Sequence, residues 1–152
     1  MGDKKEPPFV QIAAFGQPTY GANGINGIVN VADNIHVVDP SGKATSALIA
    51  RLLPLVVVLR FPEFKPSAGA PQHGTITIVH TSPDPKIPSL PEAKLRGVLS
   101  IGVKLAYDYT NARMAFGRHD FDVLFEGAFV TRVSIKLVAE PSKEAAEAAT
   151  KK

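Results

Sequence analysis

Apolar and polar residues alternate most persistently from His119 to Val138, on either side of Glu126-Gly127. This period of two predicts a β-hairpin. One face would carry His119, Phe121, Val123, Phe129, Val133, Ile135 and Leu137, and the other Asp120, Asp122, Arg132, Ser134 and Lys136. A two-residue loop at Glu126-Gly127 would pair Phe125 with Ala128 and Phe121 with Arg132, setting core residues opposite polar ones. A three-residue loop, Phe125-Glu126-Gly127 with Gly127 left-handed, keeps each face uniform. The expected cross-strand partners are then Val123 with Phe129 and Asp120 with Arg132.

The rest of the chain is cut into similar segments by 12 Gly and 13 Pro, the punctuation of an all-β sandwich or barrel. Phe9 to Phe15 is followed by Gly16-Gln17-Pro18 and by the Asn23-Gly24 turn signal, and a second segment runs from Ile25 to Val38. Asp39-Pro40-Ser41-Gly42 is a turn cluster, and Ala44 to Leu53 is open between helical turns and a loop, ended by Pro54. Leu55 to Phe61, β-branched and apolar on both faces, fits a central strand. Phe61 to Gln72 reads as a loop, and Gly74 to Thr81 as a half-exposed strand with Ile76 and Ile78 on one face against Thr75 and Thr77. Ser82 to Pro91 holds four prolines and is expected to cross the surface in an extended conformation. Val98 to Tyr109 reads as one strand with Leu99, Ile101, Val103, Leu105 and Tyr107 inward.

Composition narrows the class. A chain of 152 residues with 45% hydrophobic and 20% charged residues is the size of one domain able to bury a core unaided. The strongest apolar run, Leu52 to Leu59, is interrupted by Pro54 and falls far short of the roughly 20 residues of a membrane-spanning helix. No signal peptide is visible after Lys4-Lys5, and Gly2 lacks the Ser or Thr that a myristoylation motif wants where Glu6 stands. The expected location is the cytoplasm. Absence of cysteine removes disulfides, thiol catalysis and thiolate metal sites. A net charge of +3, with Lys and Arg scattered except for Lys4-Lys5 and Lys151-Lys152, argues against nucleic-acid binding, which needs clustered cations. Residues 1–8 and the Ala/Glu/Lys-rich residues 140–152 are expected to be disordered arms.

Two stretches, Phe9-Val-Gln-Ile-Ala-Ala-Phe15 through Gly24-Ile25-Asn26-Gly27-Ile28 to Val31-Ala32-Asp33, and Phe121-Asp-Val-Leu-Phe-Glu-Gly127 through Val130-Thr131-Arg132-Val133, resemble an uncharacterised bacterial family of small β-sandwich proteins, a domain of unknown function. The resemblance implies a chain that opens with strand, turn and strand and closes with a hairpin. It implies no activity. Members of that family often carry Cys near position 16, where this chain has Gly16.

Candidate chemistry is sparse. His36, His73, His80 and His119 have no second ligand at helical i, i+4 or HxH spacing. The local metal group to weigh, His119 with Asp120 and Asp122, is divided by the alternation between opposite faces, and Asp120 has Arg132 as expected partner. Gly42-Lys43-Ala44-Thr45 lacks the earlier glycine of a phosphate loop, and Gly97 to Gly102 is one residue too long for a nucleophile elbow. There is no Trp to stack on a sugar. Tyr20, Phe64, Tyr109 and Phe116 would form a recognition patch if exposed, against the plainer reading that they pack beneath loops.

The chain is therefore expected to be a single antiparallel β-sandwich of seven to nine strands over residues 9–139, without cofactor, metal or catalytic residues. Its expected role is a non-catalytic binding or assembly module for a protein partner or for itself, with no membrane; the sequence does not say whether it takes a small molecule. The alternatives are a structural component of a larger particle, such as a phage decoration or tail-associated protein located in a virion, and a hydrolase or metal-dependent enzyme.

Overall fold

The computed structural model describes residues 8–22, 24–61, 73–98 and 102–141. They form eleven strands: β1 (Phe9–Gly21), β2 (Gly24–Ala32), β3 (Asn34–Val38), β4 (Ser46–Arg51), β5 (Leu55–Arg60), β6 (His73–Thr81), β7 (Ala93–Val98), β8 (Gly102–Tyr107), β9 (Thr110–Ala115), β10 (Gly117–Phe125) and β11 (Ala128–Glu140). The fold is all-β, as the alternation predicts, with more strands than the expected seven to nine. One sheet runs β2-β1-β5-β8, the other β3-β11-β10-β6-β7, and β4-β9 is a separate ribbon. Pairing is antiparallel except between β3 and β11, which run parallel. Among the described residues no helix is long and apolar enough to cross a membrane. The expected arms lie outside the described residues, except that β11 continues through Glu140.

The core lies where the two sheets and the ribbon meet. Phe15, Leu55, Val57 and Leu59 come from the first sheet, Ile76, Ile78, Phe121, Val123, Val133, Ile135 and Leu137 from the second, and Ile49, Ala112 and Met114 from the ribbon. Phe15 and Phe121 join the sheets edge to face, with ring centroids 5.0 Å apart. Strand β5 is buried on both faces, as its unbroken apolar run predicts.

The terminal hairpin reaches its uniform faces by a different route from the expected one. Its loop is the two-residue Glu126-Gly127, both residues at positive φ (50° and 81°), and Phe125 pairs with Ala128. The parity conflict is real, and an extra residue in β11 absorbs it. Leu124 pairs with Phe129 and Val123 with Thr131, so Val130 is a bulge. Beyond it Phe121 faces Val133 and Asp122 faces Arg132. Asp122, not Asp120, therefore holds Arg132, at 2.6 Å. Asp120 instead accepts from Ser134 Oγ at 2.6 Å and Arg118 Nε at 3.1 Å, which holds its carboxyl below the usual range. Phe129 lies on the turn side of the bulge and is 61% exposed, so it leaves the expected core face.

Three other segments differ from expectation. Within Ala44 to Leu53, residues 46–51 form β4, because β9 supplies a partner that local sequence does not reveal: Ile49 pairs with Ala112 and is buried, while Leu48 points outward. The stretch Val98 to Tyr109 is not one strand: β7 ends at Val98 on β6, and β8 begins at Gly102 on β5 in the other sheet. Leu99 and Ile101 lie outside the described residues, as do residues 62–72. Finally, Ile25 to Val38 is split at Asp33, where the chain leaves the first sheet as β2 and enters the second as β3.

Strand β1 continues through Gly16-Gln17-Pro18. Strand β5 pairs with β1 only as far as Phe15, and β2 takes over from there. Pro18 is thus paired on one side only, where its missing N–H is tolerated.

Candidate functional site

The outer face of the first sheet should be wet, yet Val56 and Val58 on that face are 0% and 2% exposed. They pack with Ile25 of β2, supported by Ile12, Ile28 and Ala106. Were β1 straight, Tyr20, the partner of Ile25, would stand eight residues and about 26 Å beyond Ile12. The β1–β2 hairpin therefore folds back over its own sheet, and β2 comes against β8 at the opposite edge. Gly16 is the bend. It sits at a register shift between Phe15 and Gln17, donates its N–H to the Pro54 carbonyl at 2.9 Å, and passes so close to Ile28 that an added Cβ would lie 2.8 Å from its side chain. A second irregularity lies opposite, where Asn30 has φ 55° and its amide donates to Gln17 Oε1 at 2.9 Å.

Beneath the folded hairpin tip is a cleft of about 300 Å³. Gly21, Ala22, Gly24, Ile25 and Asn26 form its roof, and Gln11, Ile12, Val58, Arg60 and Lys104 its floor. None of these ten lining residues is acidic. The floor follows from strand parity. Val56, Val58 and Arg60 share the outer face of β5, and Lys104 of β8 stands opposite Val58, diagonal to Arg60. Gln11 is an extra residue in β1 between Val10 and Ile12, and the bulge aims its side chain at Arg60, whose Nε donates to Gln11 Oε1. On the roof, Asn26 Oδ1 accepts from Thr19 Oγ1 at 2.6 Å, and its Nδ2 lies against Gly21.

A second cluster of polar groups is buried in the core. His80 of β6 stands opposite Phe121 of β10, with ring centroids 4.6 Å apart, and His119 stacks on His80 at 5.0 Å. The Leu90 N–H donates to His80 Nδ1 at 2.7 Å. An imidazole nitrogen that accepts carries no proton, so the hydrogen of the neutral ring is on Nε2, which points at His119 Nδ1, 2.7 Å away. His119 in turn has its hydrogen on Nε2 and donates to the Ala115 carbonyl at 2.6 Å. Every ring nitrogen is used, and the chain of bonds has one direction. A further proton on either ring would meet a donor. Burial, then the charge of His119, pushes His80 down to about 4, and burial lowers His119 against the opposing pull of the Ala115 carbonyl and Asp120. The pair is fitted to stay neutral and hold β6, β10 and the approach to β7 together.

The other sequence candidates are not gathered into a site. His119 faces the core while Asp120 and Asp122 face outward into bonds with Ser134, Arg118 and Arg132. His36 is paired with Glu140 at 2.7 Å. Among the described residues no three His, Asp or Glu side chains come together as a metal-binding group. Of the aromatic patch, Tyr20 is 67% exposed at the hairpin tip, but Tyr109 is a 6% exposed core residue whose ring meets Phe121 and Tyr107. Its hydroxyl has no partner, and burial raises its pKa. Phe116 packs against the core, and Phe64 lies outside the described residues.

Neither Arg60 and Lys104 nor the histidine pair was singled out from sequence. The histidines carry a usable signal, since His80 continues the Ile76 and Ile78 face and His119 the Phe121 face. Set against protein-family models, curated proteins and solved structures, the chain matches none.

Proposed function

We propose that this protein is a non-catalytic binding module whose ligand occupies the cleft beneath the folded β1–β2 hairpin. The observation that supports this most is the hairpin itself. A long two-stranded element doubles back on its own sheet, seals Val56 and Val58, and stops short of closing over Arg60 and Lys104. Its roof is held by side-chain bonds from Thr19 to Asn26 and from Asn30 to Gln17, so the cleft is largely preformed. Ligand screening by chemical-shift mapping tests it: residues 11, 12, 24–26, 58, 60 and 104 should move together, whereas binders that shift only residues outside the cleft refute it.

A second reading, an assembly unit of a larger particle, is supported by exposed Val29 and Val31 on β2 and Val38 on β3, both edge strands of their sheets. Sedimentation across concentration separates the two, because an assembly unit forms discrete oligomers without added ligand.

A further inference from the structure

We infer that Ser82 to Pro91 is a proton-operated strap: a neutral His80 ring holds it shut through the Leu90 N–H, and a proton on that ring releases it while the sheets stay paired. The inference goes beyond the cleft, which no strap residue lines. The strap joins β6 to β7 where the ladder between them stops at Ile78 and Ala93. Pro83, Pro85, Pro88 and Pro91 remove four backbone donors. Other hydrogen bonds stay inside the segment: the Ser82 N–H donates to Ser89 Oγ at 3.0 Å, the Lys86 N–H to Asp84 Oδ1 at 2.9 Å and the Ile87 N–H to the Asp84 carbonyl at 3.1 Å. Among the described residues, the Leu90 N–H is the one donor of the segment that reaches the sheets, through His80 Nδ1 at 2.7 Å. The apolar anchors are the Leu90 side chain, packed on the core, and Pro83, which lies against Gly117.

The lock works in one protonation state. His80 accepts at Nδ1 only while that nitrogen is bare, and its hydrogen on Nε2 is committed to His119 Nδ1 at 2.7 Å. A proton added at Nδ1 sets two N–H groups against each other, so the bond from the strap to the sheets is lost and a buried charge is left beside it. The strands keep ladders on one or both sides, which makes the strap the easier unit to open. Its surroundings do not rescue the charged ring. The second sheet sets Ile135 opposite His119 and stacks Phe121 on His80, the first sheet brings Phe15 against Phe121, and the end of β9 presents the Ala115 carbonyl to His119. Tyr109, packed on Phe121, is kept neutral by burial. Asp120 favours a proton on His119 but faces outward, held by Ser134 and Arg118. Asp84 is bonded within its own turn, and Lys86 and Glu92 are exposed, Glu92 beside Lys94. Burial, then His119, holds the closed His80 ring down to about 4, against an ordinary value of 6.5. The closed strap therefore binds fewer protons than the open one, and opening is favoured as pH falls between those values.

Hydrogen exchange of the full-length protein between about pH 7 and about pH 4.5, normalised to the rate of an unstructured peptide, reads the strap through the Leu90 amide. Its opening constant should be flat above about pH 6.5 and rise about tenfold for each pH unit below it, as one proton requires. At every pH it should exceed the opening constants of the Phe121 and Val123 amides in β10. His80→Gln, which keeps an acceptor oxygen for the Leu90 N–H and takes no proton, should flatten the dependence. His36→Gln, at an exposed pair with Glu140, should leave it intact. Nitrogen shifts of the parent's His80 ring near pH 7 should show Nε2 protonated and Nδ1 bare, a result that stands even where His80→Gln fails to fold. The strap is overturned by a Leu90 opening constant that does not change with pH, by one equal to those of Phe121 and Val123, by a slope retained in His80→Gln, or by a hydrogen on His80 Nδ1 in the neutral ring.

Discussion

Acidification from about pH 7 to about pH 4.5 should destabilise this protein through two residues, His80 and His119. Unfolded, each ring titrates near 6.5; folded, His80 is held at about 4 and His119 is also lowered. The folded state therefore binds fewer protons throughout this interval. Stability rises with pH wherever the unfolded chain holds more protons, so the contribution of the pair is complete above about 6.5 and drains away as pH falls toward 4. For His80 alone the displacement of about 2.5 pH units is worth about 3 kcal/mol at 1.36 kcal/mol per unit, and His119 adds to it with the same sign. In a domain of this size that is a fall in Tm of roughly 6–12 °C. Asp39 and Asp120, both held below 3.8, contribute stability that is lost only below that value, so the two windows do not overlap. The assay is urea unfolding at half-unit pH steps, whose slope reports between one and two protons taken up on unfolding near pH 5. Substituting both rings (His80→Phe with His119→Phe) costs stability at neutral pH, because the Leu90 N–H and Ala115 carbonyl lose their partners, but it should remove most of that slope. A parent protein whose stability is flat between pH 6.5 and 4.5, or a double variant with the same slope, refutes the neutral relay.

Other outcomes follow from the packing. Phe121→Ala should cost about 3–5 kcal/mol in chemical denaturation, whereas Phe129→Ser, equally inward by simple alternation, should change stability by no more than about 0.5 kcal/mol; similar losses at both would place the bulge elsewhere. Gly127→Ala should cost about 1–2 kcal/mol, because its φ of +81° strains any side chain. Gly16→Val should cost about 1–3 kcal/mol by forcing Ile28 aside, and hydrogen exchange should show faster amide exchange across β2 than across β10.

Period two made the layered fold legible, and the unbroken apolar run 55–59 announced a strand covered on both sides. What covers its second side could not be read, because the cover is Ile25, brought back by a bend at Gly16 that looks like a strand end in the sequence. The same bend hid the cleft, since Gln11, Asn26, Arg60 and Lys104 come from four strands and no local spacing links them. Parity did expose a conflict at Glu126-Gly127 and misplaced its resolution, because a longer loop and a bulge at Val130 correct the faces equally well. Residues 46–51 were unreadable as a strand for a tertiary reason, as their ladder partner is β9, some sixty residues away in the chain. The histidine pair was within reach. Continuing the Ile76–Ile78 and Phe121–Val123 faces by one step puts both rings inside, and two buried imidazoles on an antiparallel sheet invite each other as partners.

The folded-back hairpin is the claim on which cleft and ligand depend, and a methyl NOESY spectrum measures it directly. Cross-peaks from Ile25 to Val56 or Val58, across some thirty residues of chain, are expected, together with contacts from Ile28 to the same cluster. A spectrum in which Ile25 has no such neighbours, while the Val56 and Val58 methyls respond to a soluble paramagnetic probe, would mean that the hairpin stands away from the sheet and that no cleft exists.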